Sequence, residues 1–249
     1  MNNGGRATFI KVRGLTKSFG PKHVLRGVDL DVFEGETLVV LGGSGEGKSV
    51  LLKHLNGLER PDAGEIIVAG HNLDQLNEDE LAIVRKQVGM VFQGGALFDS
   101  LTVFGNISYP LREHSGMDEA AIARRVKELL GMVELDNVEQ LYPAELSGGM
   151  KKRVSLARAI ALEPRCVLYD EPTTGLDPIV TLKINSMIRS LQRQLGFTSV
   201  VVTHDLHSAF QVGDRFALLD QGRIRFSGSA EEVRHSSDEL MREFVNAAL

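Results

Sequence analysis

The sequence predicts an α/β protein whose core sheet is mainly parallel, with an antiparallel β edge and an inserted helical subdomain. Three observations carry this. Strand-like runs are followed by helix-patterned stretches at TLVVL, CVLYD and SVVVT, and continuous apolar runs of that kind suit a sheet covered on both faces. Between VGMVF and CVLYD the pattern changes, and from about Asp99 to Pro164 most of the chain reads as helix. VDLDVF near one end and the hairpin-like ALLDQGRIRFSG near the other mark antiparallel sections. With 249 residues, 43% of them hydrophobic, the chain has enough apolar material for one large domain with an insertion.

Each element has its own signal. In VDLDVF, Val28, Leu30 and Val32 alternate with Asp29, Asp31 and Phe33, the period of a strand with one face on a core and the other partly exposed. After the turn EGE, TLVVL feeds directly into GGSGEGKS and the helix pattern SVLLKHLNGL. EIIVAG and VGMVF are further short strands. In DEAAIARRVKELLGM, Ile122, Val126, Leu129 and Leu130 fall at helical spacing. LSGGM then opens a basic, apolar-patterned helix, KKRVSLARAIAL. In the tail, residues 236–249, Leu240, Phe244 and Val245 share one helical face with Met241 near it, while Asp238, Glu239, Arg242 and Glu243 lie mostly on the other. That short helix either folds back on its own domain or reaches a partner. The sequence shows no internal repeat, low-complexity segment or long Gly/Ser linker, so the insertion is expected to pack tightly on the core. These signals divide the chain into a domain over residues 7–229, with the helical insertion at about 99–164, and a helical tail over 230–249.

Composition narrows the function. With 28 Lys and Arg against 33 Asp and Glu the net charge is -5, which argues against a nucleic-acid binder relying on a general basic field. The one cysteine, Cys166, lies in the apolar run CVLY, so it reads as a buried thiol and no intramolecular disulfide can form. MNNGGRATFI lacks the basic-then-apolar pattern of a secretory signal, and no stretch reaches the roughly 18 apolar residues of a membrane span. A role at a membrane would need another subunit to cross it.

The chemistry starts at Gly42–Ser49. The pattern G-x-x-x-x-G-K-[ST] is met by Gly42, Gly47, Lys48 and Ser49, with Gly43, Ser44, Gly45 and Glu46 inside the loop and Val50 after it. It sits between a strand and a helix, where backbone amides and the helix dipole hold phosphate oxygens. Lys48 can reach the β- and γ-phosphates, and the Ser49 hydroxyl can ligate Mg²⁺. VLYD ends in Asp170 followed by Glu171, so one carboxylate can face the magnesium and its neighbour the attacking water. Asp177, in EPTTGLDP, either belongs to this site or caps the helix that starts near Pro178. LSGGM is a second glycine-rich loop before a helix, so the chain carries two anion-binding loops.

Together these residues resemble the nucleotide-binding subunit of an ATP-binding cassette (ABC) transporter, over about Phe9 to Gly228. The resemblance implies the P-loop NTPase core with its RecA-like sheet, ATP and Mg²⁺ as cofactors, and ATP hydrolysis. It gives Phe19, in KSFG, the place of an aromatic residue stacked on adenine, with Val24 also at the nucleotide. GGSGEGKS is Walker A and LYDE is Walker B. Gln93, in VFQ, is the magnesium-sensing loop residue between core and helical subdomain, and LSGGM, with Ser147, Gly148 and Gly149, is the family signature. Asp177 lies in the GLD loop, and His204, in VVVTHD, is the switch histidine. Catalysis thus falls to Lys48, Glu171 and His204, and the metal to Ser49, Gln93 and Asp170. Met150 stands where the signature usually ends in Gln, and Phe19 where Tyr is more usual. In such proteins two copies meet head to tail, and the signature of one caps the γ-phosphate held by Walker A of the other. Two phosphate loops in one chain are then two halves of two sites.

The wording of QGGALFDSLTVFGNISYPLRE and LSGGMKKRVSLARAIALEP is similar to the ATPases of the bacterial lipid-asymmetry (Mla) and Mce type, which move phospholipid between inner and outer membranes. That resemblance implies a permease, an MCE-domain substrate-binding subunit, a small accessory cytoplasmic subunit, and a place on the cytoplasmic face of the inner membrane. Importers of polar amino acids or organic solvents share much of the wording. A soluble cassette acting on ribosomes or DNA, and a nucleotide switch without turnover, are the alternatives from other classes. The first generally fuses two cassettes or carries coiled-coil inserts, and the second would lack Glu171 or His204.

Overall fold

The structure, a computed structural model, describes residues 6–236 together with Asp238, Met241 and Arg242. In chain order the strands are β1 (Thr8–Phe19), β2 (Lys22–Phe33), β3 (Thr37–Leu41), β4 (Ala63–Val68), β5 (His71–Asn72), β6 (Val88–Val91), β7 (Cys166–Asp170), β8 (Thr198–Thr203), β9 (Arg215–Asp220) and β10 (Arg223–Ser229). The helices are α1 (Lys48–Leu55), α2 (Glu78–Lys86), α3 (Val103–His114), α4 (Glu119–Met132), α5 (Gly148–Ala159), α6 (Pro178–Leu195), α7 (Leu206–Val212) and α8 (Ala230–Arg234). Among the described residues they form two sheets, ordered β2-β1-β4-β5 and β10-β9-β3-β8-β7-β6. The first is antiparallel throughout. In the second, β6, β7, β8, β3 and β9 run parallel and β10 returns antiparallel to β9. This is the α/β architecture expected, with the antiparallel edge and the helical insertion.

Parallel strands covered on both faces must be apolar on both, and here they are. Leu38 and Val40 of β3 join Cys166 and Leu168 of β7 in the core beneath the antiparallel sheet. Val39, Leu41, Val167 and Tyr169, which alternate with them, join the core shared with α3–α6. Burial pushes the Cys166 thiol pKa up, so it packs as a small apolar side chain. In β2 the alternation holds through Val32 and then breaks: Phe33 is buried as well, under the Arg215 guanidinium 4.9 Å from its ring centre.

The inserted segment is built from α3, α4 and α5, and its inner face carries the four residues that helical spacing marked: Ile122, Val126, Leu129 and Leu130. α6 has a complete set of helix signals. Asp177 Oδ1 accepts from the amides of Ile179 and Val180 (3.0 Å each), Pro178 is the first helical residue, and Gly196 closes the helix at φ 71°. The predicted tail helix lies mostly outside the described residues, as do Leu240, Phe244 and Val245. Met241 is buried in the larger core, and Asp238 Oδ2 lies 3.6 Å from Arg225 Nη2.

Candidate nucleotide site

Parallel neighbours bring the carboxyl ends of their strands to one edge of the sheet, the place where open α/β sheets bind ligands. β3 ends there in the glycine loop, β7 in Asp170 and Glu171, β8 in Thr203 and His204, and β6 leads to Gln93. Strand order alone gathers residues that lie as far apart in sequence as Gly42 and His204.

The loop closes tightly. Gly47 precedes α1 at φ 100°, and a Cβ there would lie 2.9 Å from Val24 Cγ1; a Cβ on Gly42 would lie 2.5 Å from the Leu219 carbonyl oxygen. Both positions therefore require glycine. Lys48 Nζ donates to the carbonyls of Gly42 and Gly43 (2.8 and 2.9 Å) and lies 3.4 Å from Glu171 Oε1. Gly43, Ser44 and Gly45 line the open side of the turn, half-buried or exposed, while Val50 is half-buried on the first turn of α1. Glu46 turns away, its carboxylate accepting from the Gln221 amide (2.6 Å), so it braces the loop against the β9–β10 turn.

Ser49 Oγ donates to Asp170 Oδ1 at 2.7 Å. Two hard oxygen donors side by side at a phosphate loop fit Mg²⁺, which takes one or two protein ligands and fills its octahedron with phosphate and water oxygens. Among the described residues no group of three or more His, Cys, Asp or Glu gathers into an all-protein cage. Burial pushes the Asp170 carboxyl above its ordinary pKa, against the opposing pull of the Ser49 hydrogen bond. A carboxyl with a raised pKa binds its proton more tightly folded than unfolded. Its charge therefore costs stability above the folded pKa, and that cost fades as pH falls through it. Asp170→Asn is thus expected to raise the melting temperature of the nucleotide-free protein at pH 7, by about 2–4 °C for each kcal/mol relieved. The gap should narrow on acidification. A lower melting temperature at pH 7 would contradict this.

Glu171 follows at φ 47°, a left-handed conformation costing about 1–3 kcal/mol in a non-glycine residue. Its amide donates to the Val202 carbonyl (3.0 Å), which holds it in place. Oε1 pairs with His204 Nδ1 at 2.9 Å as well as with Lys48, while Oε2 accepts from Thr174 Oγ1 (3.2 Å) and Thr203 Oγ1 (3.3 Å). Glu171 and Lys48 are buried, whereas the His204 side chain is 57% exposed. The carboxylate is thus fixed from behind and open toward the loop.

The remaining residues stand apart from this group. Phe19 is 47% exposed, with Lys17 Nζ 5.3 Å from its ring centre. Gln93 is exposed, and its carbonyl accepts from Lys152 Nζ. Ser147 caps α5 by accepting from the Met150 amide (3.3 Å), and Gly148 beside it is exposed. A Cβ on Gly149 would lie 2.8 Å from Val180 Cγ1, so α6 backs the signature directly. Asp177 caps α6 through Oδ1. Three groups that the motifs did not single out also engage the site: Thr174 and Thr203 on Glu171, and Lys152 on Gln93. Only Thr203 had a sequence signal, as the last residue of the strand before His204.

A phosphate loop, a serine–aspartate pair and a fixed carboxylate at the carboxyl edge of a parallel sheet are the arrangement of a nucleoside-triphosphatase. The ABC transporter family matches residues 25–174. A probable ribonucleotide transport ATP-binding protein of Mycobacterium leprae is 41% identical over 95% of this chain and 68% of its own length. A methionine import ATP-binding protein of Leifsonia xyli is 41% identical over 98% and 72%. A sulfate/thiosulfate import protein of Bradyrhizobium diazoefficiens is 44% identical over 91% and 65%, so this chain corresponds to a part of each relative. Among solved structures, an ATP-binding cassette in a dimeric, post-hydrolysis state with ADP and Pi superposes with a TM-score of 0.82 at 34% identity, covering 88% of this chain and 98% of that one. A Clostridium perfringens cassette, part of an ABC transporter complex, gives 0.83 at 30%, covering 97% and 96%. The chain belongs to the ABC transporter family, as an ATP-binding, ATP-hydrolysing cassette.

Proposed function

We propose that this chain is the ATPase subunit of a membrane transporter, works as a head-to-tail pair of identical copies, and drives phospholipid transport between the inner and outer membranes. The observation that carries the paired site is a separation. Hydrogen bonds and ion pairs link Ser49 to Asp170 and Glu171 to both Lys48 and His204, while Ser147 at the start of α5 is hydrogen-bonded to none of the five and, like Gly148, is exposed. A signature facing outward is placed to complete the site of a second copy, and the dimeric cassette with ADP and Pi supports that reading by likeness.

Within one half-site the chain's own residues divide the work. MgATP, when bound, supplies the phosphoanhydride bond that is broken. Phe19 and Val24 are placed for the base, and the loop amides from Gly43 to Val50 for the phosphates. Lys48 offers its ammonium to the phosphates, and Ser49, Asp170 and Gln93 serve the cation. Glu171 accepts the proton of the attacking water. His204, Thr174 and Thr203 hold that carboxylate in position, and His204, being exposed, is also free to face the γ-phosphate. Ser147, Gly148, Gly149 and Asp177 act across the pair.

Among the described residues no helix is long and apolar enough to cross a membrane, so the reading requires a permease. The stretch from Gly94 to Leu111 offers its seat. Val103 is buried, Leu97 and Phe104 pack on the core, and Leu101 is half-buried, whereas Phe98 is 45% and Tyr109 46% exposed. Their rings lie 5.2 Å apart in a groove of about 550 Å³ lined also by Met90, Phe92 and Leu162. A short amphipathic cytoplasmic helix of the permease fits such a groove. Phe98→Glu, with Tyr109→Glu as a second probe, is expected to weaken capture of the permease by at least about tenfold, as for loss of an aromatic anchor. ATP turnover of the isolated cassette should persist. Undiminished capture by both would place the seat elsewhere.

The lipid class rests on the Mla- and Mce-like wording around ALFDSLTV and on Met150, which also bring in an MCE-domain subunit, an accessory cytoplasmic subunit and the cytoplasmic face of the inner membrane. The relatives named above carry small polar solutes, so an importer of that kind is the competing reading. Purification of the transporter from membranes with its permease, followed by mass spectrometry of bound molecules, separates the two. Co-purifying phospholipid in stoichiometric amount supports the first, and a polar solute in its place refutes it.

A further inference from the structure

α5 does more than present the signature. Three side chains at positions 152, 155 and 158, spaced to lie along one face, donate to the loop that follows β6. Lys152 Nζ donates to the Gln93 carbonyl. Ser155 Oγ donates to the Gly95 carbonyl at 2.8 Å, and Arg158 adds Nη2 to the same oxygen at 3.0 Å and Nη1 to Asn106 Oδ1 at 3.4 Å. Asn106 in turn bonds the Phe98 amide (2.8 Å) and the carbonyls of Phe98, Leu101 and Thr102. The helix also rests directly on the strand before the loop, since a Cβ on Gly89 would lie 2.4 Å from the Ala159 carbonyl oxygen. Lys152 and Ser155 are buried. Burial lowers the Lys152 pKa, and attraction to Asp170 and Glu171 works against that fall.

We propose that Lys152 is a positioning residue: with Ser155 as the next rung, it ties Gln93, in the half-site built on this chain's own phosphate loop, to the helix that carries Ser147 to the half-site of the second copy. This rests on the paired-site reading above. A buried ammonium pulled off its acceptor is left without a partner, so the loop and α5 move together rather than slide past each other. Occupancy of one half-site therefore sets where the signature stands in the other.

The test places Lys152→Met, which keeps the length of the side chain and removes its charge and donors, in the Glu171→Gln background. Two quantities are read: the affinity of the monomer for a fluorescent ATP analogue, and the ATP concentration at half-maximal dimer by light scattering. Monomer affinity is expected to change by less than about twofold while the ATP needed for the dimer rises about tenfold, the scale of one hydrogen bond from a charged donor. Lys152→Arg should restore most of the loss. Ser155→Ala, which removes the next rung with little steric change, should raise the ATP requirement about threefold and reads the same coupling if Lys152→Met does not fold. Dimerisation at the parent's ATP concentration, or an equal loss of monomer affinity, would overturn the proposal. If the Glu171→Gln parent itself fails to dimerise with ATP, the paired-site reading falls instead.

Discussion

Glu171→Gln is expected to lower ATP turnover by about 10²- to 10⁴-fold, the usual contribution of a positioned general base, and to leave ATP-dependent association intact. The amide keeps the planar shape that Thr174 and Thr203 hold, and an L-residue of the same size remains at φ 47°. What it loses is the capacity to take a proton from water. Lys48 still has the Gly42 and Gly43 carbonyls, so the substitution strands no ammonium in the interior. The variant should shift from monomer to dimer with MgATP and stay there, whereas the wild type passes through that state with each turnover. Light scattering that shows no ATP-dependent mass increase, or turnover close to wild type, would remove Glu171 from its assigned role.

Lys48→Ala and His204→Ala are expected to fail in different ways. Lys48 sits inside the phosphate loop, so its loss should weaken ATP binding roughly 10- to 100-fold, as for a hydrogen bond with a charged partner. It also leaves the buried Glu171 carboxylate without its nearest cation, so a lower melting temperature should accompany the change. His204 is exposed and pairs with Glu171 Oε1 through Nδ1. Its loss should leave binding within about twofold and cut turnover about 10²- to 10³-fold, the scale of a lost transition-state donor. Equal losses of nucleotide affinity in the two variants would sink this division of roles.

Much of this site was legible because it is local. Gly42–Ser49 follows an apolar run and opens a helix within a dozen residues, and Asp170 and Glu171 end an apolar run of their own, so spacing and residue type suffice. The sheet order was not legible: β3 lies between β8 and β9, pairings that close across more than 150 residues. Nor was the split within Gly94–Leu111, where Leu97, Phe98, Leu101, Val103 and Phe104 look alike in sequence and packing alone buries Val103 and exposes Phe98. Lys152 shows the same limit. In KKRVSLAR, Lys151, Lys152 and Arg153 form one basic run, yet Lys152 turns inward to Gln93 while Arg153 points to Glu134. Helical period says that such residues face different ways, but not which face meets the loop. The left-handed backbone at Glu171 carries no sequence signal, because it is imposed by the Val202 carbonyl on the neighbouring strand.

The measurement that bears most directly on the paired site is turnover in a mixture of two inactive variants. Lys48→Ala disables the phosphate loop of a copy, and Ser147→Arg fills the signature with a bulky cation. In a mixed pair one half-site combines both faults, while the other joins an intact loop from one copy to an intact signature from its neighbour. Mixing the two purified proteins is therefore expected to restore ATP hydrolysis well above the sum of the separate variants, in proportion to the mixed pairs formed. If the loop and signature of a single chain served one site, no mixed pair would contain an intact one, and turnover in the mixture would stay at that sum.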